Sequence, residues 1–190
     1  MDRRSTTDLL TKILLHNIDG LYAQEVTIDA CSDNIRRVDV MQFKPAGGIF
    51  ICDIEKGIFT CYEIKSCIED VYSGNGLNFI GEENYIVTTM QTYKKLLPDI
   101  NSGKLQDYIK KNFEDSSTEF GIMVPVLKNI DLRCTDMVFK EYAEPTEFGG
   151  EYIDWKLYKI IPCGKRMCRR KKSVTELLFC MLRSKHSNYP

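Results

Sequence analysis

No apolar stretch in the 190 residues approaches the ~20 needed to cross a bilayer, which excludes a membrane-spanning helix. The first 17 residues place Asp8 and Lys12 among the leucines and lack the continuous apolar core of a signal peptide, so export is not expected. Histidine is scarce, with two in the chain. Cys163-x4-Cys168 has no second pair at zinc-ribbon spacing, and His16 and His186 lie far from it, so a structural zinc site lacks its ligands. Without an export signal, the eight cysteines read as reduced thiols in a cytoplasmic protein, and Cys52, Cys61 and Cys180 sit in apolar runs as small hydrophobes. Internal repeats and low-complexity tracts are missing. Net charge is nearly absent, with 26 Lys+Arg against 27 Asp+Glu.

What remains is a composition with 43% hydrophobic and 11% aromatic residues, enough to bury a sizeable core. The length fits one domain over residues 1–190. It divides into a core of about 3–134, an acidic excursion over 135–156, and a basic segment with a C-terminal helix over 157–190. The near-neutral charge hides a split: residues 1–164 carry a net charge of -8, and the segment from Lys165 onward carries +7. Such asymmetry points to an anion-seeking segment on an acidic body.

Spacing predicts an amphipathic helix over Ser5 to Asn17, stopped by Asn17-Ile-Asp-Gly20. Strands are predicted over Leu21 to Asp29, Arg36 to Phe43 and Ile58 to Lys65, with a turn at Pro45 to Gly48 and a short apolar run from Ile49 to Ile54. Ser66 to Gly81 reads as a helical turn and a Gly-rich loop, without the Gly-Lys-Ser/Thr ending of a P-loop. Asn84 to Thr88 is a further strand, and Met90 to Leu97 a helix closed by Pro98. Phe120 to Leu127 is expected to pair with Ile130 to Cys134. Ser173 to Arg183 reads as a helix with Ser173-x-x-Glu176 as its capping box. The order α-β-β-β-α-β implies an α/β fold, a mixed central sheet flanked by helices.

Two neighbouring strands carry the chemistry. One reads Arg36-Arg37-Val38-Asp39-Val40 and the other Cys61-Tyr62-Glu63-Ile64-Lys65-Ser66. Alternation puts Glu63 and Lys65 on one face and Ile64 on the other. Charges at the end of so apolar a strand are costly unless paired or bound to a metal. If the strands are adjacent, Asp39 brings a second carboxylate to the same point. Two carboxylates offer hard oxygen ligands to Mg²⁺ or Mn²⁺, and a lysine beside them can stabilise charge on a phosphate. A solvated Glu-x-Lys pair on an edge strand is the plainer reading of the same residues.

Helix, strand, Arg-Arg-Val-Asp-Val strand, hairpin and Tyr-Glu-Ile-Lys-Ser strand together resemble the PD-(D/E)XK, or restriction-endonuclease-like, nuclease superfamily. The likeness is greatest to small bacterial and phage DNA-repair or resolvase-type members. It covers about residues 3–97, and Val38 stands where the superfamily's name has its proline. The resemblance implies a metal-dependent endonuclease, with Asp39 and Glu63 as metal ligands, the backbone carbonyl of Ile64 as a further ligand, and Lys65 orienting the water. Many members add an acid before the motif aspartate. Glu25 on the first strand and Asp8 on the first helix both suit that position, with Glu25 favoured by its strand setting. The same likeness brings a homodimer into view, as many small members dimerise to cut both strands.

Lys165, Arg166, Arg169, Arg170, Lys171 and Lys172 place six cations in eight positions before the last helix. Such a cluster would hold DNA phosphates in a salt-dependent, sequence-independent way. The function expected is therefore metal-dependent hydrolysis of DNA. The alternative is a non-catalytic module on the same scaffold that binds nucleic acid or a protein partner, as a phage accessory or inhibitor protein would.

Overall fold

Asp2 starts the first helix: its carboxylate accepts from the Ser5 amide at 2.7 Å, and α1 runs over Arg3–Asn17. The helix thus opens two residues before the predicted Ser5, with Asp2 as the cap. The computed structural model describes residues 2–30, 35–48, 50–128, 143–146, 155–164, 169–184 and 186–188. Leu9, Leu10, Ile13 and Leu14 form the buried stripe of α1. Each is worth roughly 1.5–3 kcal/mol relative to exposure. Asn17 fastens the far end to the sheet. Its side-chain N–H donates to the carbonyls of Ile13 (2.8 Å) and Trp155 (3.3 Å), while its oxygen accepts from the Leu157 N–H (3.1 Å).

Among the described residues, seven strands make one mixed sheet: β1 (Leu21–Ile28), β2 (Arg36–Lys44), β3 (Ile58–Lys65), β4 (Glu83–Thr88), β5 (Gly121–Leu127), β6 (Trp155–Ile161) and β7 (His186–Asn188). Their order is β6-β5-β4-β3-β2-β1-β7. The meander β1–β2–β3 is antiparallel, β3–β4 and β4–β5 are parallel, and β6 and β7 close the two ends antiparallel. Every residue of β4 is buried, as a parallel strand covered on both faces requires.

The helices are α1, α2 (Ile51–Glu55), α3 (Ile68–Val71), α4 (Met90–Asn101), α5 (Lys104–Asn112) and α6 (Val174–Arg183). Leu10 and Leu14 of α1 cover Val40, Tyr62, Ile64, Tyr85 and Val87 on one face. On the other face, α4 and α5 pack Tyr93, Leu96, Leu105 and Ile109 against Ile86, Ile122 and Val124, and α6 sets Leu177 and Met181 on Val26, Met41 and Phe59. This is the α/β architecture read from the sequence. Among the described residues no helix is long and apolar enough to cross a membrane.

Four details differ from expectation. Pro98 lies inside α4 rather than ending it, because Ile100, beyond the expected stop, packs on the core as Leu96 before it does. Helix α5 was not anticipated. The run Ile49 to Ile54 holds the one-turn α2, with Phe50 and Ile51 exposed. Both edges of β5 are occupied, by β4 and by β6, and the expected partner 130–134 lies outside the described residues, as does most of the acidic excursion. The excursion ends by Trp155, where β6 begins. Ser173 caps α6 as predicted, accepting from the Glu176 N–H at 3.1 Å.

Candidate active site

Strands β2 and β3 pair from Lys44↔Ile58 to Val40↔Tyr62, and there the ladder stops, although β2 runs back to Arg36 and β3 on to Lys65. Diverging strands release backbone groups that need new partners. Side chains supply them. The Asp39 carboxylate accepts from the Ile64 N–H at 2.8 Å, and the Asn78 side-chain amide donates to the Arg37 carbonyl at 2.9 Å. The fork between the strands is thus closed by a carboxylate.

Alternation along β3 does what the sequence implied. Ile64 packs beneath α1, whereas Glu63 and Lys65 continue the Phe59–Cys61 row on the other face. Glu63 is 0% exposed and Lys65 4%. Glu63 Oε1 accepts from the Asn78 N–H at 3.1 Å, but Oε2 is buried without a hydrogen-bond partner. Lys65 Nζ donates to the Asn75 carbonyl at 2.7 Å. Burial, and then the nearby Asp39 charge, hold the Glu63 carboxyl well above the ordinary glutamate range. Burial likewise raises Asp39, opposed by the Ile64 N–H and by Lys65. With burial and like charge both acting on the pair, holding the two groups ionised together is costly, and a proton on either would relieve it. A cation between them would supply the same compensation.

Asp39, Ile64 and Lys65 line an open groove of about 1610 Å³ at this end of the sheet. From α1 it takes Arg3, Thr7 and Thr11, which share a helix face at four-residue spacing. Asp8 lies exposed one residue off that face. Glu25 does line the groove, at the β1 position facing Asp39 between the pairs Gln24↔Val40 and Val26↔Val38. Its φ of 54° is a left-handed conformation uncommon for glutamate, and its carboxylate meets Arg37 Nε at 2.6 Å. The structure therefore brings Glu25 to the fork and leaves Asp8 outside the groove.

The cations divide into two groups. Arg170 reaches Glu82 at 2.6 Å and the Gly57 carbonyl at 3.2 Å, and Lys172 pairs with Asp29 at 2.5 Å and Glu176 at 2.8 Å. Arg169 and Lys171 are exposed, and Lys165 and Arg166 lie outside the described residues. Of the basic segment's described cations, Lys172 lines the groove. Lys110 and Lys111, exposed on the last turn of α5, line it too. The sequence reading passed over this pair and Arg3, although Arg3-Arg4 and Lys110-Lys111 stand out as basic doublets. Asp70 lines the groove while accepting from Arg3 and from the Ser66 N–H (3.0 Å). Asn84 and Tyr85, early in β4, are buried in the core.

The donor set can be tested for the implied ion. Two hard carboxylates with one buried, unpartnered oxygen fit Mg²⁺ or Mn²⁺, since magnesium often takes one or two protein carboxylates and keeps several waters. Among the described residues, no group of three or more His, Cys, Asp or Glu gathers around a point. Cys163 is buried, and its Sγ accepts from the Asn84 N–H at 3.5 Å. Comparison with family models, with curated proteins and with solved structures finds no match to this chain.

Proposed function

We propose that the chain is a divalent-metal-dependent nuclease of the restriction-endonuclease-like class that hydrolyses phosphodiester bonds in DNA. One observation carries the reading: a sealed carboxylate with a bare oxygen stands beside a second carboxylate and a lysine, at a strand fork opening on a cation-bearing groove. A buried, uncompensated carboxyl is expensive as structure and useful as a ligand. Asp39 and Glu63 would hold the ion, with the Ile64 carbonyl a further ligand by the resemblance. When bound, Mg²⁺ or Mn²⁺ supplies neutralisation of phosphate charge and a water of lowered pKa.

The protein's own groups do the rest. The Ile64 N–H orients Asp39, the Asn78 N–H orients Glu63, and the Asn75 carbonyl fixes the Lys65 ammonium where negative charge develops on the phosphorus oxygens. Glu25, facing Asp39 and paired with Arg37, is the additional acid. Arg3, Lys110 and Lys111 give the DNA backbone its first contacts at the groove's rim, with the basic segment, whose Lys172 also lines the groove, as a second set.

The test is cleavage of single-stranded, duplex and branched DNA with Mg²⁺, with Mn²⁺ and with EDTA. Wild-type protein should cut only with metal, and Glu63→Ala and Lys65→Ala should each lose at least about 100-fold. Equal trace activity in wild type and Glu63→Ala would sink the enzyme reading. DNA binding that persists in EDTA and survives Lys65→Ala, without cleavage, would identify the non-catalytic module instead.

A further inference from the structure

Between α3 and β4 the chain crosses back over β3 and touches both charged side chains with bare backbone. Asn75 takes the Lys65 ammonium on its carbonyl, and Asn78 gives its N–H to Glu63. Gly76 lies between them. A Cβ there would stand 2.6 Å from Lys65 Nζ and 2.8 Å from Glu63 Oε2, closer than non-bonded atoms allow. Gly76 holds φ +75 and Leu77 follows at φ 68, so the backbone turns through the left-handed region to make this approach. The loop is held at both ends. The Gly74 N–H donates to the Tyr108 hydroxyl of α5 at 3.0 Å, and Asn78 is tied to the Arg37 carbonyl of β2.

A side chain at residue 76 therefore has to move something other than the loop. Glu63 is sealed and hydrogen-bonded through Oε1, whereas Lys65 ends in a flexible stem. The lysine is the group that gives way. We infer that Gly76 is a positioning residue: its missing side chain is what keeps the Lys65 ammonium on the Asn75 carbonyl, beside Glu63. The inference rests on the nuclease reading for its catalytic consequence, but not for the placement of Lys65. It gives the Gly-rich loop an inward task, toward Lys65 and Glu63.

Gly74 provides a matched control. It has the same left-handed backbone, φ +80, with nothing within 4 Å of its Cβ position. Folded wild type, Gly74→Ala and Gly76→Ala are to be labelled with an amine-reactive ester, Lys65 followed by mass spectrometry, and cleavage kinetics measured in parallel. Lys65 should stay protected in wild type and Gly74→Ala, and label severalfold faster in Gly76→Ala. The kcat of Gly76→Ala should fall by about 100-fold, with KM for DNA little changed. Equal labelling, or equal kcat, in the two alanine variants overturns the inference. Should Gly76→Ala fail to fold, adding Lys65→Ala should restore folding to the level of Gly74→Ala, and failure to do so also overturns it. A wild type that never cuts DNA removes the nuclease reading alone, since labelling still decides where Gly76 holds Lys65.

Discussion

In the metal-free protein, Glu63 has to ionise against burial and against the charge of Asp39, so its folded-state pKa stands above the ordinary 4.5. Below that value the carboxyl is protonated both folded and unfolded, and no penalty arises. As pH rises past 4.5, the unfolded chain releases the proton while the folded one retains it, so stability drains until the folded pKa is reached. Glu63→Gln removes this drain and keeps an oxygen for the Asn78 N–H. Calorimetry in EDTA should find the variant no different from wild type below pH 4.5. Near neutrality it should be more stable by on the order of 1 kcal/mol, about 2–4 °C in Tm. The same variant should lose metal-dependent cleavage, trading function for stability at one residue. A Glu63→Gln protein less stable than wild type at neutral pH would mean the charge is compensated by contacts other than those seen.

Helix α5 and the segment before α6 both carry cations, but in different company. Lys110 and Lys111 are exposed on the last turn of α5, where alanine gives up a favourable charge–dipole interaction but gains helix propensity, so replacing them should hardly change stability. Each replacement should weaken DNA binding and reduce the slope of log affinity against log salt by about 1. Arg170 behaves as a tie instead: it bridges Glu82 and the Gly57 carbonyl and lies over the Phe59 ring, 5.6 Å from its centroid. Arg170→Ala should therefore cost roughly 1–3 kcal/mol in stability and leave the salt slope nearly unchanged. A salt slope reduced by Arg170→Ala but not by the α5 pair would return the DNA path to the basic segment. The same contrast marks what could be read in advance. Period-two alternation exposed β1 to β4, and with them Asp39, Glu63 and Lys65, because strand spacing alone decides which side chains share a face. Asn78, Gly76 and the α5 lysines reach the site only through the crossovers around β4, and no local pattern encodes such meetings. Pro98 misled because buried Leu96 and half-buried Ile100 carry α4 past a residue that usually stops a helix.

For the molecule as a whole, the segment from Lys165 looked like an arm attached to an acidic body, yet Arg170 and Lys172 return into that body at Glu82 and Asp29. Part of the charge asymmetry is therefore internal neutralisation across the fold. On the proposed function, the crowded carboxyls of Asp39 and Glu63 at the fork make global stability a readout of ion binding. A ligand that binds the folded chain alone stabilises it by RT ln(1 + [L]/Kd), about 2.7 kcal/mol at a hundredfold excess over Kd. Titrating Mg²⁺ into wild-type protein should raise Tm by about 5–10 °C at that excess. Glu63→Gln and Asp39→Asn, each with one proposed ligand neutralised, should begin from a higher metal-free Tm and show little further rise. The two effects have opposite signs at one residue, so a general salt effect cannot imitate them: screening would shift all three proteins alike. Were the variants to gain as much from Mg²⁺ as the wild type, the ion would be binding elsewhere, and the fork would be left with a buried acid that serves neither stability nor metal.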